Sequence, residues 1–164
     1  MQEAIKVINE LKEKRLIKDY AIGGGIAAIY YIEPFLTYDL DIFILITKED
    51  KELILLTPIY NFLESKGYHW KGEHIVIGEM PVQLIPADEL EEEAIDNARK
   101  IKFEGIETKV IKPEYLIPIL LRAGREKDKE KITKLLEQAD VNRAKLDKIL
   151  IKYHLTEKFK KIIG

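Results

Sequence analysis

A chain of 164 residues that is 46% hydrophobic and 34% charged can bury the core of one domain, or of one catalytic domain with a helical appendage. Its net charge of -2 argues against a general nucleic-acid binder, and the absence of cysteine excludes disulfides, zinc-thiolate sites and thiol chemistry. No apolar run approaches the ~20 residues needed to cross a bilayer, and Met1–Arg15 is charged and helix-patterned rather than leader-like. The expectation is a cytoplasmic protein with no membrane partner. Abundant Ile, Lys and Glu beside no Cys suits a thermophilic source.

Ile5, Ile8, Leu11 and Leu16 follow helical spacing, which predicts an amphipathic helix to about Lys14. Tyr20-Ala21-Ile22 reads as a short strand running into Gly23-Gly24-Gly25. Ile26 to Ile32 reads as a short helix stopped by Pro34, because the residue before a proline avoids the helical region. Asp39 to Ile46 is strand-like, rich in β-branched residues and apolar on both faces after its first turn. Leu53 to Ser65 reads as a helix ended by Gly67, with Pro58 as a kink or late start.

Three short strands follow, Tyr68 to Trp70, His74 to Ile77 and Val82 to Ile85, the last two joined through a Gly78-Glu79 turn. Ala87 to Lys100 opens as a helix whose acids Asp88, Glu89, Glu91, Glu92 and Glu93 suit a helix N-terminus. Phe103 to Ile111, broken at Glu104-Gly105, gives another pair of strands. From Pro113 the pattern is helical to Ile163, with Asp140 and Thr156 as expected caps. The division is an α/β (α+β) region over 1–111 and a packed helical region over 112–164.

Chemistry concentrates in Tyr20 to Ile46. Alternation along a strand puts Asp39 and Asp41 on one face, and two carboxylates held close repel unless a cation sits between them. Paired hard oxygen ligands suit Mg²⁺ bridged to substrate phosphates. Glycines without Cβ atoms let backbone N–H groups approach a phosphate, and the following helix N-terminus favours its charge. Together these make a site for a nucleoside triphosphate.

These residues resemble the nucleotidyltransferase superfamily related to DNA polymerase beta. Its signature is a hydrophobic residue, Gly, then Gly or Ser, and after a spacer an Asp-x-Asp opening a strand. Here that is Ile22-Gly23-Gly24-Gly25, the spacer Ile26 to Tyr38, then Asp39-Leu40-Asp41. The small prokaryotic members, the minimal nucleotidyltransferases and the abortive-infection type, carry an Arg-x-Lys-Asp element on a helical tail, matched by Arg125-Glu126-Lys127-Asp128.

The resemblance implies a nucleotidyltransferase-like mixed sheet flanked by helices. It implies Gly23, Gly24 and Gly25 against the triphosphate, with Asp39 and Asp41 holding two Mg²⁺ or Mn²⁺ ions. The implied activity moves a nucleoside monophosphate from an NTP to a hydroxyl of a protein, a tRNA or a small molecule. A third carboxylate is expected on a neighbouring strand, where this chain has Gln83, which cannot act as a base. A phosphate-facing lysine is expected roughly two turns before Lys127. Ile119, Leu120 and Leu121 stand there, leaving Arg122 as the nearest cation beside Arg125 and Lys127. Gln83 keeps open a second outcome, a degenerate member that binds nucleotide or a partner, for example in a toxin–antitoxin system.

Other readings compete for the same residues. Gly23-x-Gly25-x-x-Ala28 also fits a dinucleotide fingerprint, but that fold wants its acid at the end of the second strand, and here the acids open it. Surface acids explain the Asp39/Asp41 pair less well, because a buried strand follows them. Arg122, Arg125, Lys127, Lys129 and Lys131, interleaved with Glu126, Asp128 and Glu130, also suit a solvated helix face. His69, His74 and His154 lack metal-ligand spacing and read as polar surface. Tyr30, Tyr31, Phe35 and Tyr38 read as core, with one able to stack on a base. Glu33, Glu79 and Asp88 are alternative sources of the third carboxylate.

Overall fold

The computed structural model describes residues 1–46 and 56–164. Its elements run α1 (Gln2–Glu13), β1 (Asp19–Ile22), α2 (Gly24–Tyr31), β2 (Leu40–Leu45), α3 (Thr57–Ser65), β3 (His69–Lys71), β4 (His74–Ile77) and β5 (Met80–Pro86). Then come α4 (Glu89–Asp96), β6 (Arg99–Phe103), β7 (Ile106–Val110), α5 (Pro113–Ala123), α6 (Glu126–Gln138), α7 (Arg143–Lys152) and α8 (Thr156–Ile163).

The strands form one mixed sheet in the order β3-β4-β5-β2-β1-β7-β6. β1 runs antiparallel to β2, while β2 pairs in parallel with β5 and β1 with β7. The antiparallel β1–β2 pair disposes of the dinucleotide alternative, which needs a parallel strand after the glycine turn. Strand alternation explains the burial: Leu40, Ile42 and Ile44 of β2 are fully buried, leaving Asp41 on the opposite face.

The helical tail docks through α5, which packs against α2, α4, α6 and α7. Its run Tyr115–Leu121 is buried along its whole length, so it is a core helix. Gly124, at φ 67°, ends α5 in the left-handed conformation and turns the chain into α6.

Several expected boundaries move. Asp39 lies just before β2. The helix expected to Lys100 stops at Asp96, because Arg99 and Lys100 pair with Val110 and Lys109 in the β6–β7 hairpin. Gly78 and Glu79 both have positive φ (55° and 67°), as a tight two-residue hairpin turn requires. Asp140 does not cap α7; Asn142 does, its side chain accepting from the Lys145 N–H at 3.0 Å. Thr156 begins α8 without making a side-chain cap. The first part of the predicted Leu53–Ser65 helix lies outside the described residues; Pro58 sits in the first turn of α3, where its missing N–H costs nothing.

Candidate active site

The site is built where β1 ends. The Gly23 N–H donates to the Asp41 carbonyl at 2.9 Å and fastens the glycine turn to β2. Gly24 has φ 57°, a conformation that disfavours any side chain, and a Cβ there would collide with the Asp41 carboxylate. Glycine is thus required by both the backbone and the acid. A Cβ on Gly25 would stand 2.7 Å from Thr37 Oγ1, in the loop leading to Asp39.

Asp41 is held in an unusual electrostatic state. Burial raises its pKa first, and the neighbouring Asp39 charge raises it further, while Arg125, His74 and Lys127 pull it down. Its Oδ1 is buried with no hydrogen-bond partner among the described residues. A buried acceptor left unpartnered costs about 1–3 kcal/mol, and more when it is charged. A divalent cation would remove that cost.

Among the described residues no three His, Asp or Glu side chains gather into a metal cage. Mg²⁺ does not need one, since it takes one or two carboxylates and completes its shell with water and phosphate oxygens. Asp39 and Asp41 therefore fit such an ion.

Two cavities meet at Asp41. One, of about 390 Å³, is lined by Gly25, Asp39, Asp41, Arg125, Lys127, Glu130, Lys131 and Lys134, together with Phe35 and Tyr38. Its four cations outnumber its three acids, one of which, Glu130, pairs with Lys134, and the surplus suits a polyphosphate and its metal. The other, of about 300 Å³, is lined by Gly24, Asp41, Gln83, Glu91, Arg122 and Arg125 over the apolar Phe43, Ile85, Ile119 and Leu120. Arg125 borders both.

The expected residues separate into these two spaces. Gln83 pairs in register with Asp41 across the parallel β2–β5 ladder, so it occupies the expected position beside the acids. Lys127 and Arg125 reach the cationic cavity. Arg122 faces the other cavity and is engaged by two carboxylates, Asp88 at 2.7 Å and Glu91. Asp88 is thereby accounted for, since it also caps α4 by accepting from Leu90 and Glu91 N–H. Glu33 stands beside Lys134, and Glu79 is on the β4–β5 turn. Tyr30 and Tyr38 are not core; Tyr38 is 74% exposed at the cavity mouth.

Three participants escaped the sequence reading. Asp128 is fully buried and accepts from Arg125 Nε at 2.7 Å and Lys131 Nζ at 3.0 Å, so it clamps two of the cavity's cations. Its place in the Arg-x-Lys-Asp element was the available signal. Glu91, 5% exposed, gives one oxygen to Arg122, while its Oε2 has no partner among the described residues. His74, expected as plain surface, places Nε2 3.1 Å from Asp39 Oδ2. Thirty-five residues separate that pair, and only the β4–β5–β2 arrangement brings them together.

Known structures share this fold at low identity. The chain is similar to an antigenic nucleotidyltransferase-like protein from Paracoccidioides brasiliensis, with TM-score 0.58 and 16% identity over 96% of this chain and 90% of that one. It is also similar to ANT(2'')-Ia in complex with adenylyl-2''-tobramycin, with TM-score 0.52 and 16% identity over 92% and 95% of the two chains. The solution structure of ANT(2'')-Ia, an antibiotic-resistance factor, gives TM-score 0.54 and 14% identity over 96% and 95%. At such identity these likenesses establish the fold, a nucleotidyltransferase-like mixed sheet with a helical C-terminal region. No curated protein matches the chain. Residues 71–161, more than half of the chain and including Gln83 and the Arg125–Asp128 element, match the family described as "Nucleotidyl transferase of unknown function (DUF2204)", and the chain belongs to that family.

Proposed function

We propose that this protein transfers a nucleoside monophosphate from an NTP to a hydroxyl acceptor, as a small nucleotidyltransferase of the prokaryotic minimal type. The observation that carries this is the buried, unpartnered Asp41 Oδ1 at the wall of a cavity lined by Arg125, Lys127, Lys131 and Lys134. Asp39 and Asp41 hold Mg²⁺ or Mn²⁺, which when bound stabilise the charge on the reacting phosphates. The four cations take the triphosphate, with the Gly25 backbone lining the same cavity. The acceptor enters the second cavity, whose apolar floor and polar rim suit a small hydroxyl-bearing group.

In the transfer, the acceptor oxygen bonds to the α-phosphorus and the bond to pyrophosphate breaks, its electron pair leaving with pyrophosphate. Gln83 cannot take the acceptor proton. Asp41 is committed to the cation, so Glu91, whose Oε2 has no partner among the described residues, is the carboxylate lining that cavity that can. ANT(2'')-Ia is described with an adenylylated antibiotic, which makes a small-molecule acceptor the first to test here. The division at 111/112 is structural only in this proposal, because Arg125 and Lys127 lie on the far side of it from the acids.

The test is incubation with α-labelled NTPs, Mn²⁺ or Mg²⁺, and either cell extract or an aminoglycoside panel, comparing wild type with Asp39→Ala/Asp41→Ala. Label transfer that vanishes in the double variant is expected. Absence of transfer, with nucleotide binding that still needs the two aspartates, would instead favour the second reading that Gln83 supports, a nucleotide-binding module without turnover.

A further inference from the structure

We infer that His74 is a positioning residue for the acid pair: its imidazole fixes the Asp39 carboxylate so that the pair is set for a divalent cation before the cation arrives. The inference rests on the metal role proposed above for Asp39 and Asp41. An ionised carboxylate only accepts hydrogen bonds, so the 3.1 Å contact has His74 Nε2–H donating to Asp39 Oδ2. Asp39 is the more exposed of the two acids, outside the strand proper, with its side chain 41% accessible. Without a tether, a carboxylate there samples several rotamers, and repulsion from Asp41 turns it outward.

The sheet holds the tether in place. Continuing the β4–β5 register one residue past the Ile75–Val82 pair sets His74 across from Gln83, which is itself across from Asp41. An imidazole, an amide and a carboxylate therefore stand side by side on three neighbouring strands. Gln83 brings no charge to this row, and His74 supplies the contact that orients the outer acid. His74 is not itself offered as a ligand, since no three-residue metal cage forms among the described residues. It acts through Asp39, in the way that outer partners of metal ligands orient them and raise affinity by about ten- to a hundredfold.

The opposite consequence is also physically coherent: a cationic imidazole would compete with the metal for Asp39, and its removal would tighten binding. Titration of Mn²⁺ followed by electron paramagnetic resonance separates the two, using wild type, His74→Ala, His74→Gln, Asp39→Ala and Asp41→Ala, with circular dichroism to check folding. His74→Ala is expected to weaken Mn²⁺ binding at least about tenfold. His74→Gln, whose amide N–H can reach the same oxygen, should restore most of it. Unchanged or tighter binding in His74→Ala, or no rescue by His74→Gln, overturns the inference. If Asp39→Ala and Asp41→Ala abolish binding while His74→Ala does not weaken it, only the role of His74 fails. If the two aspartate variants bind Mn²⁺ like wild type, the metal role fails and the His74 inference falls with it.

Discussion

Two aspartates near opposite ends of the central β1–β2 pair face opposite circumstances. Asp19, at the start of β1, lines a cavity of about 770 Å³ with Lys12, Tyr20, Lys100, Lys102 and Lys109. Burial would raise its pKa, but bonds from Lys109, the Tyr20 N–H and Lys12 more than offset this and hold it below the ordinary carboxylate range. Even the buried Tyr20 hydroxyl is matched, by Asn9 and Thr108. Asp41, at the start of β2, sits beside smaller cavities, yet its pKa is raised and one oxygen is unpartnered. Cavity size therefore does not track the unpartnered acid in this molecule. What distinguishes the two ends is that one has satisfied its polar groups internally and the other leaves a buried carboxylate oxygen without a partner among the described residues.

The sharpest attempt to break this contrast is Asp41→Asn. It should reduce nucleotidyl transfer by on the order of a thousandfold or more, read as single-turnover label transfer. It should also stabilise the metal-free protein by about 1–2 kcal/mol in denaturant unfolding at neutral pH, because a desolvated charge is removed. The sign with pH follows from the raised pKa. Ionised Asp41 costs wild-type stability at neutral pH, and that cost disappears as pH falls through the raised pKa, so wild type and variant should converge on acidification. Mn²⁺ should stabilise wild type and not the variant. A variant less stable than wild type would show that Asp41 is paired after all.

Asp128→Ala tests the clamp behind the cationic cavity. Its partners are partly solvated, so the stability loss should be about 1–3 kcal/mol, below that of a fully buried pair. Freed Arg125 and Lys131 should weaken NTP binding about tenfold, measured by calorimetry, with Asp128→Asn less damaging than alanine. An effect on stability with none on nucleotide affinity would make Asp128 merely structural.

Asp19→Asn gives the smallest effect and the opposite sign to Asp41→Asn. Losing its charge-assisted bonds should destabilise by about 1–2 kcal/mol, with nucleotide and Mn²⁺ binding unchanged. Because the folded pKa is depressed, the stabilisation is present above the unfolded value near 3.9 and is lost as pH falls through the folded pKa. The wild-type advantage should therefore vanish in acid. A loss of nucleotide binding in this variant would reverse the assignment of the two ends.

What the sequence disclosed was local. The glycine turn, the Asp39-Leu40-Asp41 opening of a strand, the Gly78-Glu79 hairpin and the helical run from Pro113 each rest on residues close together in the chain. The expectation that Gln83 stands on a strand beside the acids came from the family resemblance, and the β2–β5 ladder sets it in register with Asp41. The rest depends on contacts that no local pattern encodes. His74 meets Asp39 only through sheet order, and Glu91 is buried although it sits in a run of acids that reads simply as a helix N-terminus. Arg122 has the right position along its helix to meet phosphate, but the packing of α4 against α5 gives it to Asp88 and Glu91 instead. The alternating charges over residues 126–131 hid the inward turn of Asp128.

The single guanidinium of Arg125 lies on the boundary of both cavities and is anchored from behind by Asp128. A molecule that draws it toward one cavity changes the field in the other, so the nucleotide and acceptor of the proposed reaction would be thermodynamically linked. Linkage is reciprocal: whatever factor the first occupant imposes on the affinity of the second, the second imposes on the first. For a two-substrate transfer this favours a sequential scheme through a ternary complex over a ping-pong one. Intersecting rather than parallel double-reciprocal plots would be its kinetic signature.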